Sequence, residues 1–308
     1  MLTTLLTATL LAVSGPTPLQ PNAFNATADT ARLRASIMRL VDAHQGTVGV
    51  SVRNLATGES LSIRGDETFP TQSTIKVSLL VALLDEVQKG RVRLEERTGL
   101  IDRDKVGGTG VLRFMSSGTL PTMADLAWLM ITLSDNTATN LLLDKIDART
   151  VGVKMEALGL PHTKIHSKTF RRETSIAPDS SRLYGLGVTT PNEMVELFAL
   201  LSAGRAVSPA MDSLAMRMLA ANQDDAMMTR WLPGNTRVAN KTGTGEDSRI
   251  DCGVMFSPAA PLALCVMTKG NADTSYAVDN AAHLVIGSIA RTVFAHYNPG
   301  VALPALPR

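Results

Sequence analysis

Strand-type alternation of apolar and polar residues is concentrated near the two ends of this chain, and this distribution most constrains its fold. Near the N-terminus, Val48, Val50 and Val52 alternate with small or polar residues, and the pattern resumes at Leu61 and Ile63 after a turn. Toward the C-terminus, the same periodicity predicts three further strands, at residues 236–241, 249–256 and 262–269. We therefore predict an α/β fold with one antiparallel sheet built from both chain ends and a helical domain inserted between them.

Helical periodicity dominates the intervening sequence. Apolar residues recur every three or four positions in segments that we predict to be helices, at residues 30–42, 74–88, 123–133, 137–146, 191–201, 209–220 and 276–296. Residues 163–190 show little periodicity, so we predict a long loop, a feature that in compact domains is often functional.

The composition excludes several classes of protein. With 44% hydrophobic and 19% charged residues the chain is globular, and its net charge of +2 without a basic cluster argues against a nucleic-acid partner. A short apolar run at residues 5–13 precedes the first charged residue, Asp29, and predicts a signal peptide and flexible N-terminus over residues 1–28. We thus expect a secreted or periplasmic protein without stable membrane insertion, because the run is too short to span a bilayer.

The cysteines and histidines do not show the spacing of a metal site, and we predict neither a metal nor a cofactor. Cys252 and Cys265 would lie on adjacent strands if residues 258–261 form a turn, but the strand register decides whether they can bond.

Three short motifs fall at the joints of the predicted architecture. In Ser73-Thr74-Ile75-Lys76 the hydroxyl stands at a helix start, and the amine three residues later lies on the same helix face. A buried Lys76 could be neutral and could accept the proton of Ser73. The alternative for this motif alone is a serine cap followed by a surface lysine.

The other two motifs are Ser134-Asp135-Asn136, between two predicted helices, and Lys241-Thr242-Gly243, which ends a predicted strand and is followed by Thr244. Ser134 could relay a proton to a leaving amine, Asn136 could bind a substrate amide carbonyl, and Lys241 with Thr242 could attract a carboxylate. Gly243 would let a substrate backbone pair along the strand edge. The structural alternatives are a helix cap and a charged edge strand.

Taken in order, these motifs resemble those of the class A serine β-lactamases and their penicillin-binding relatives. The similarity extends over nearly the whole mature chain. It implies a single catalytic unit at residues 29–297, with an α/β part at 29–68 and 235–297, a helical part at 69–234, and a C-terminal tail at 298–308. It also implies acyl transfer through a Ser73 acyl-enzyme.

The resemblance implies roles for two more residues. Arg171-Arg172-Glu173 is similar to the family's R-x-E, in which the glutamate activates the water that releases the acyl group. Ala177 stands where the family has an asparagine that helps to hold this water, so we expect slow deacylation. Arg249 resembles an arginine that binds the substrate carboxylate in several members; a surface role is the alternative.

Residues 107–111 lie where the family often has an aromatic residue beside the cleft. None is present in this segment, and we therefore expect a more open rim.

The leading prediction is a monomeric class A β-lactamase that acts on a small-molecule β-lactam. The alternative is a D-alanyl-D-alanine carboxypeptidase or transpeptidase that acts on a peptidoglycan stem peptide and deacylates slowly after binding a β-lactam. A non-catalytic sensor is a third possibility, but it would need a transmembrane segment that we do not find in the sequence.

Overall fold

The computed structural model describes residues 28–306. The predicted signal peptide falls on residues that lie outside this described range, apart from its last position, which begins the first helix.

A five-stranded antiparallel sheet forms the frame of the molecule. Its members come from both ends of the chain: β1 (Thr47–Asn54), β2 (Ser60–Ile63), β6 (Arg237–Thr244), β7 (Arg249–Phe256) and β8 (Pro261–Lys269). The spatial order is β2-β1-β8-β7-β6, so an N-terminal strand pairs with a C-terminal one in the middle of the sheet and β6 lies at an edge. The predicted fold class is confirmed.

Nine helices belong to the described part of the chain. They are α1 (Ala28–Ala43), α2 (Lys76–Gln88), α3 (Met123–Thr132), α4 (Asn136–Ile146), α5 (Ala148–Ala157), α6 (Pro178–Tyr184), α7 (Pro191–Ser202), α8 (Pro209–Leu219) and α9 (Ala281–Tyr297). Their starts follow from capping residues: Thr190 and Ser208, for example, each accept a backbone N–H and are followed by proline at the first helical position.

Side chains on the two faces of the sheet enter two different hydrophobic cores. One face packs with α1 and α9, and residues such as Val238 and Leu264 point to it. The other face packs against the inserted helices, and neighbouring positions such as Ala239 and Cys265 point there. The buried helix α2 belongs to this second core.

The segment predicted to be a long loop contains regular structure. It includes β4 (Lys164–Ile165), α6 and β5 (Gly187–Thr189), and β5 joins β3 (Phe69–Pro70) and β4 in a second, three-stranded sheet. Periodicity could not reveal strands of two or three residues, because alternation of apolar and polar residues is recognisable only over about four residues or more. The last helix begins at Ala281 rather than near residue 276, because Asn280 caps it at that point.

Cys252 and Cys265 face each other directly across β7 and β8 and form a disulfide bond. The pairing left open by the sequence is thereby decided by the strand register. Lys241 lies opposite Cys252 on the other side of β7, so the disulfide is next to the edge strand that carries the third motif.

Candidate active site

Ser73 lies in a 3₁₀ turn, Gln72–Ile75, that connects β3 to α2. Its side chain is partly exposed, whereas Thr74, Ile75 and Lys76 are buried. The preceding residue, Gln72, has a φ of 46°, a conformation that is strained for a non-glycine residue and is common at functional sites. The Gln72 amide stabilises this geometry by donating to the hydroxyl of Ser248 at 3.0 Å.

Lys76, three residues after Ser73, is completely buried. Its amine is 2.7 Å from the Ser134 carbonyl, 3.1 Å from the Ser134 hydroxyl and 2.8 Å from Oδ1 of Asn136. Among the described residues the Ser73 hydroxyl is not one of its hydrogen-bond partners. Burial lowers the pKa of Lys76 well below its usual value, and the nearby charge of Lys241 lowers it further. A neutral amine, which can accept a proton, is therefore favoured at this position.

The loop that carries Ser134 and Asn136 is held by its middle residue. Ser134 has a φ of 54°, and the buried Asp135 caps α4 by accepting the Ala138 amide at 2.9 Å. Its other carboxylate oxygen accepts the backbone N–H groups of Val111 and Leu112, each at 2.7 Å. Asp135 thus joins the loop to the segment that passes in front of it.

Lys241 brings the third motif to the serine turn from the edge strand β6. It is fully buried and donates to the Thr242 carbonyl at 3.0 Å. Burial lowers its pKa to about 8. Gly243 is required by close packing, because a Cβ atom there would lie 2.7 Å from the Thr71 carbonyl and 2.9 Å from Oγ1 of Thr74.

Arg249 begins β7 directly opposite Thr244. Thr244 is exposed, but Arg249 is completely buried, so the surface role that was the alternative for it is wrong. Its guanidinium donates to the carbonyls of Gly245, Ser248 and Ser275, the last at 2.6 Å. Strand register places Arg249 on the same sheet face as Thr242, two pairs farther along the strands.

Glu173 is not brought to this cluster by any direct contact. It is exposed, and within residues 28–306 it makes no hydrogen bond or ion pair. Two residues to which the sequence assigned no role, Asn140 and Phe170, lie close to Asn136. Asn140 on α4 donates to the Thr169 carbonyl at 3.0 Å and accepts the Thr169 amide at 2.7 Å, which places Thr169 and Phe170 beside the helix that bears Asn136. The Thr169 hydroxyl is buried without a hydrogen-bond partner among the described residues.

Hydrogen bonds of His166 connect distant parts of the long loop. Nδ1 of His166 lies 3.0 Å from the Gly185 carbonyl, and its Nε2 lies 3.0 Å from the Ser180 hydroxyl. The His166 amide also donates to the Leu186 carbonyl. These contacts connect the start of the loop to its end.

Sequence signals existed for some of the missed residues. Asn136 and Asn140 are four positions apart, as expected for one helix face, and Gly107-Gly108-Thr109-Gly110 is a glycine-rich run beside a functional loop. Nothing in the sequence pattern distinguished Phe170, because its position depends on contacts with distant residues.

Two further properties concern the described residues as a whole. None of their helices is long and apolar enough to cross a bilayer. No group of three or more histidine, cysteine, aspartate or glutamate residues among them is arranged to hold a metal ion.

Comparison with known proteins identifies the family. Residues 32–297 match the model of the beta-lactamase enzyme family, and the chain belongs to that family. It is 30% identical to beta-lactamase L2 of Stenotrophomonas maltophilia over 263 residues, which cover 82% of this chain and 84% of the relative. It is 28% identical to beta-lactamase AER-1 of Aeromonas hydrophila over 234 residues, covering 75% of each chain.

Solved structures agree with this assignment. A beta-lactamase from Sphaerobacter thermophilus superposes with a TM-score of 0.76 at 28% identity, over 85% of this chain and 96% of the other. PBP-A, in a mutant form solved as an acyl-enzyme complex with penicillin G, superposes with a TM-score of 0.75 at 25% identity, over 86% of this chain and 95% of its own.

Proposed function

We propose that this protein is a serine hydrolase of class A type that opens the β-lactam ring through a Ser73 acyl-enzyme, which water then hydrolyses slowly. The observation that carries the proposal is the buried amine of Lys76. Its depressed pKa and its contacts with Ser134 and Asn136 provide a base next to the candidate nucleophile.

In this mechanism the Ser73 oxygen attacks the β-lactam carbonyl carbon while its proton passes to neutral Lys76. The carbon–nitrogen bond of the ring then breaks, and the Ser134 hydroxyl, 3.1 Å from Lys76, delivers a proton to the leaving nitrogen. Backbone N–H groups at the start of α2 could stabilise the developing oxyanion. Lys241, Thr242, Thr244 and Arg249 would bind the substrate carboxylate.

A Ser73→Ala variant tests the nucleophile. Mass spectrometry after incubation with penicillin G should show one covalent adduct on the wild-type protein, mapped to Ser73, and none on the variant. Ser213→Ala is a matched control, because this exposed serine on α8 accepts from the Arg217 guanidinium and lies outside the three motifs; the Ser73 adduct should form on it as on the wild type. An adduct at another residue, or an adduct on Ser73→Ala, would contradict the proposal.

A second candidate function is a D-alanyl-D-alanine peptidase that a β-lactam inhibits. The exposed position of Glu173 favours it, since a general base must lie within hydrogen-bond reach of the water that it activates. Fast hydrolysis of the acyl-enzyme would then lack its base.

Glu173→Gln separates the two candidates. If Glu173 is the general base of the proposed hydrolase, its loss should slow deacylation by ~10²–10⁴-fold, whereas a change of less than about threefold would favour the peptidase. Time-resolved mass spectrometry of the penicilloyl adduct measures this step, and release of D-alanine from a stem peptide measures the competing activity. A loss of about 100-fold or more, the lower limit expected for a general base, would support the catalytic role that the sequence predicts for Glu173.

We also propose that the protein is exported. The apolar N-terminal run supports this proposal, as does the disulfide between Cys252 and Cys265, since such bonds persist in oxidising compartments. Mass spectrometry of the N-terminus of the protein recovered from the cell envelope or the medium would test it.

A further inference from the structure

Phe170 has an exposed apolar side chain and a strained backbone, and both features cost free energy. Its side chain is 68% exposed, and its φ of 58° lies in the left-handed region that non-glycine residues rarely adopt. Such strain persists only where the surrounding structure enforces it, and it is concentrated at functional sites.

The surroundings of Phe170 enforce this conformation. It lies at the tip of a turn closed by the Arg171 amide, which donates to the Lys168 carbonyl at 3.3 Å. Asn140 holds Thr169 in this turn by two hydrogen bonds. Lys168 pairs with Asp144 on the same helix, α4, and the Arg171 guanidinium donates to the carbonyl of Arg103. The phenyl ring is therefore presented by a turn that is attached on both sides.

The ring faces the candidate active site. A Cβ atom added to Gly108 would lie 2.9 Å from the Phe170 ring and 2.6 Å from Nδ2 of Asn136, so the ring and this amide border the same narrow space. The other end of the same amide, Oδ1 of Asn136, accepts from Lys76 at 2.8 Å. The rim, which the sequence led us to expect to be open for want of an aromatic residue at 107–111, thus has an aromatic residue supplied by another segment.

We infer that Phe170 determines specificity by forming the apolar wall against which the acyl side chain of the substrate packs. This inference rests on the proposed function and on the role predicted for Asn136, which is to bind the substrate amide carbonyl. Nδ2 of Asn136 uses one N–H for the Gly107 carbonyl, at 3.1 Å, and has a second N–H for the substrate. The group attached to that substrate carbonyl would then lie beyond Asn136, where the Phe170 ring is found. An aromatic side chain fits this wall best, because two rings gain a stacking or edge-to-face contact in addition to buried area.

Two penicillins that differ only in this side chain test the inference. Benzylpenicillin carries a phenylacetyl group, and 6-aminopenicillanic acid has the same bicyclic nucleus without it. For Phe170→Ala we expect the second-order rate constant for acylation of Ser73 by benzylpenicillin to fall by about 3- to 10-fold, the range that corresponds to an aromatic contact. The rate constant for 6-aminopenicillanic acid should change by less than about twofold. Phe170→Tyr, which keeps the ring, should behave like wild type with both compounds.

Leu183→Ala is the matched control, since this residue is also an exposed hydrophobic side chain of the long loop, on α6. It should leave both rate constants unchanged. Equal losses with the two penicillins, or no loss with benzylpenicillin, would overturn the inference while leaving the Ser73 acyl-enzyme in place. Failure of wild-type protein to form a Ser73 adduct would instead overturn the proposed function, and the inference with it.

Discussion

At the scale of single residues, the two buried lysines of the site are expected to act in opposite protonation states. Lys76 must be neutral to accept a proton from Ser73, and burial together with the charge of Lys241 lowers its pKa toward that state. Lys241 must be charged to attract a carboxylate, and its pKa, lowered by burial, remains about 8. The charge of Lys241 near Lys76 favours these two protonation states, because one positive charge opposes the formation of a second beside it.

This division predicts a bell-shaped pH profile for the acylation of Ser73 by benzylpenicillin. The rate constant should rise with pH as Lys76 loses its proton, and it should fall again as pH increases through about 8 and Lys241 becomes neutral. Loss of a charge-assisted hydrogen bond typically reduces binding by about 10- to 150-fold. Stopped-flow measurements of acylation from about pH 5 to about pH 10 would test for both limbs.

Lys241→Arg provides the control for that profile, because a guanidinium keeps its charge over the whole range. The falling limb should move to higher pH in this variant while the rising limb stays in place. A falling limb that is the same in wild type and in Lys241→Arg would assign it to another group.

At the scale of elements, α4 organises the site through its cap and through contacts of two buried asparagines, Asn136 and Asn140. Asp135 at its start binds the segment at 111–112, Asn136 contacts Lys76, and Asn140 one turn later binds Thr169. One helix therefore determines the distance between the Lys76 amine and the turn that bears Phe170. This arrangement makes Asn140 a positioning residue rather than a group that touches the substrate.

We predict that Asn140→Ala loosens the turn at 168–171. The variant loses two hydrogen bonds, each worth about 0.5–1.5 kcal/mol net, and exposes the Thr169 amide to solvent. Hydrogen exchange of this amide should therefore accelerate by about 10-fold or more. Acylation by benzylpenicillin should slow, whereas acylation by 6-aminopenicillanic acid should change little.

Asn192→Ala is a suitable comparison for Asn140→Ala, because its side chain bonds Asp66 far along the chain from this turn. It should leave the exchange rate of the Thr169 amide unaltered. If that amide exchanges at the wild-type rate in Asn140→Ala, the turn does not depend on Asn140.

At the scale of the whole molecule, the five-stranded sheet contributes side chains to two hydrophobic cores, one on each face. Alternate residues of β6, β7 and β8 enter the core with α1 and α9 or the core with the inserted helices. Loss of the sheet would expose both cores at once. The two layers should therefore unfold in one cooperative transition, although the chain is longer than most proteins that do so.

The two tryptophans of the chain allow this prediction to be tested. Trp128 lies on α3 in the helical layer, and the Trp231 ring is close to Gly287 of α9 on the opposite side of the sheet. Trp128→Phe and Trp231→Phe variants each leave one reporter. Their fluorescence midpoints in urea should coincide once the small difference in stability between the variants, measured by circular dichroism, is taken into account. Midpoints that differ by more than this correction would show that the layers unfold separately.

Local sequence pattern predicted the five strands of the main sheet and most helices, and it placed Ser73, Lys76, Ser134 and Asn136 near helix starts and Lys241 on a strand. It could do so because hydrophobic periodicity and capping residues act over one or two turns of chain, and the predicted strand at 249–256 therefore agrees with β7. It did not predict α5 or α6. The order of the three motifs along the chain then indicated the similarity to the family.

Which part of the long loop faces the site depends on tertiary contacts. Glu173 matches a family motif but is exposed, whereas Phe170 matches none and borders the gap beside Asn136. The difference arises from contacts between residues far apart in sequence, such as Asn140 with Thr169 and Arg171 with Arg103. The pairing of Cys252 with Cys265 has the same origin, since a shift of one residue in register would have pointed one sulfur to the opposite face of the sheet. Local pattern carries no information about such contacts, because their free energy depends on how whole elements pack.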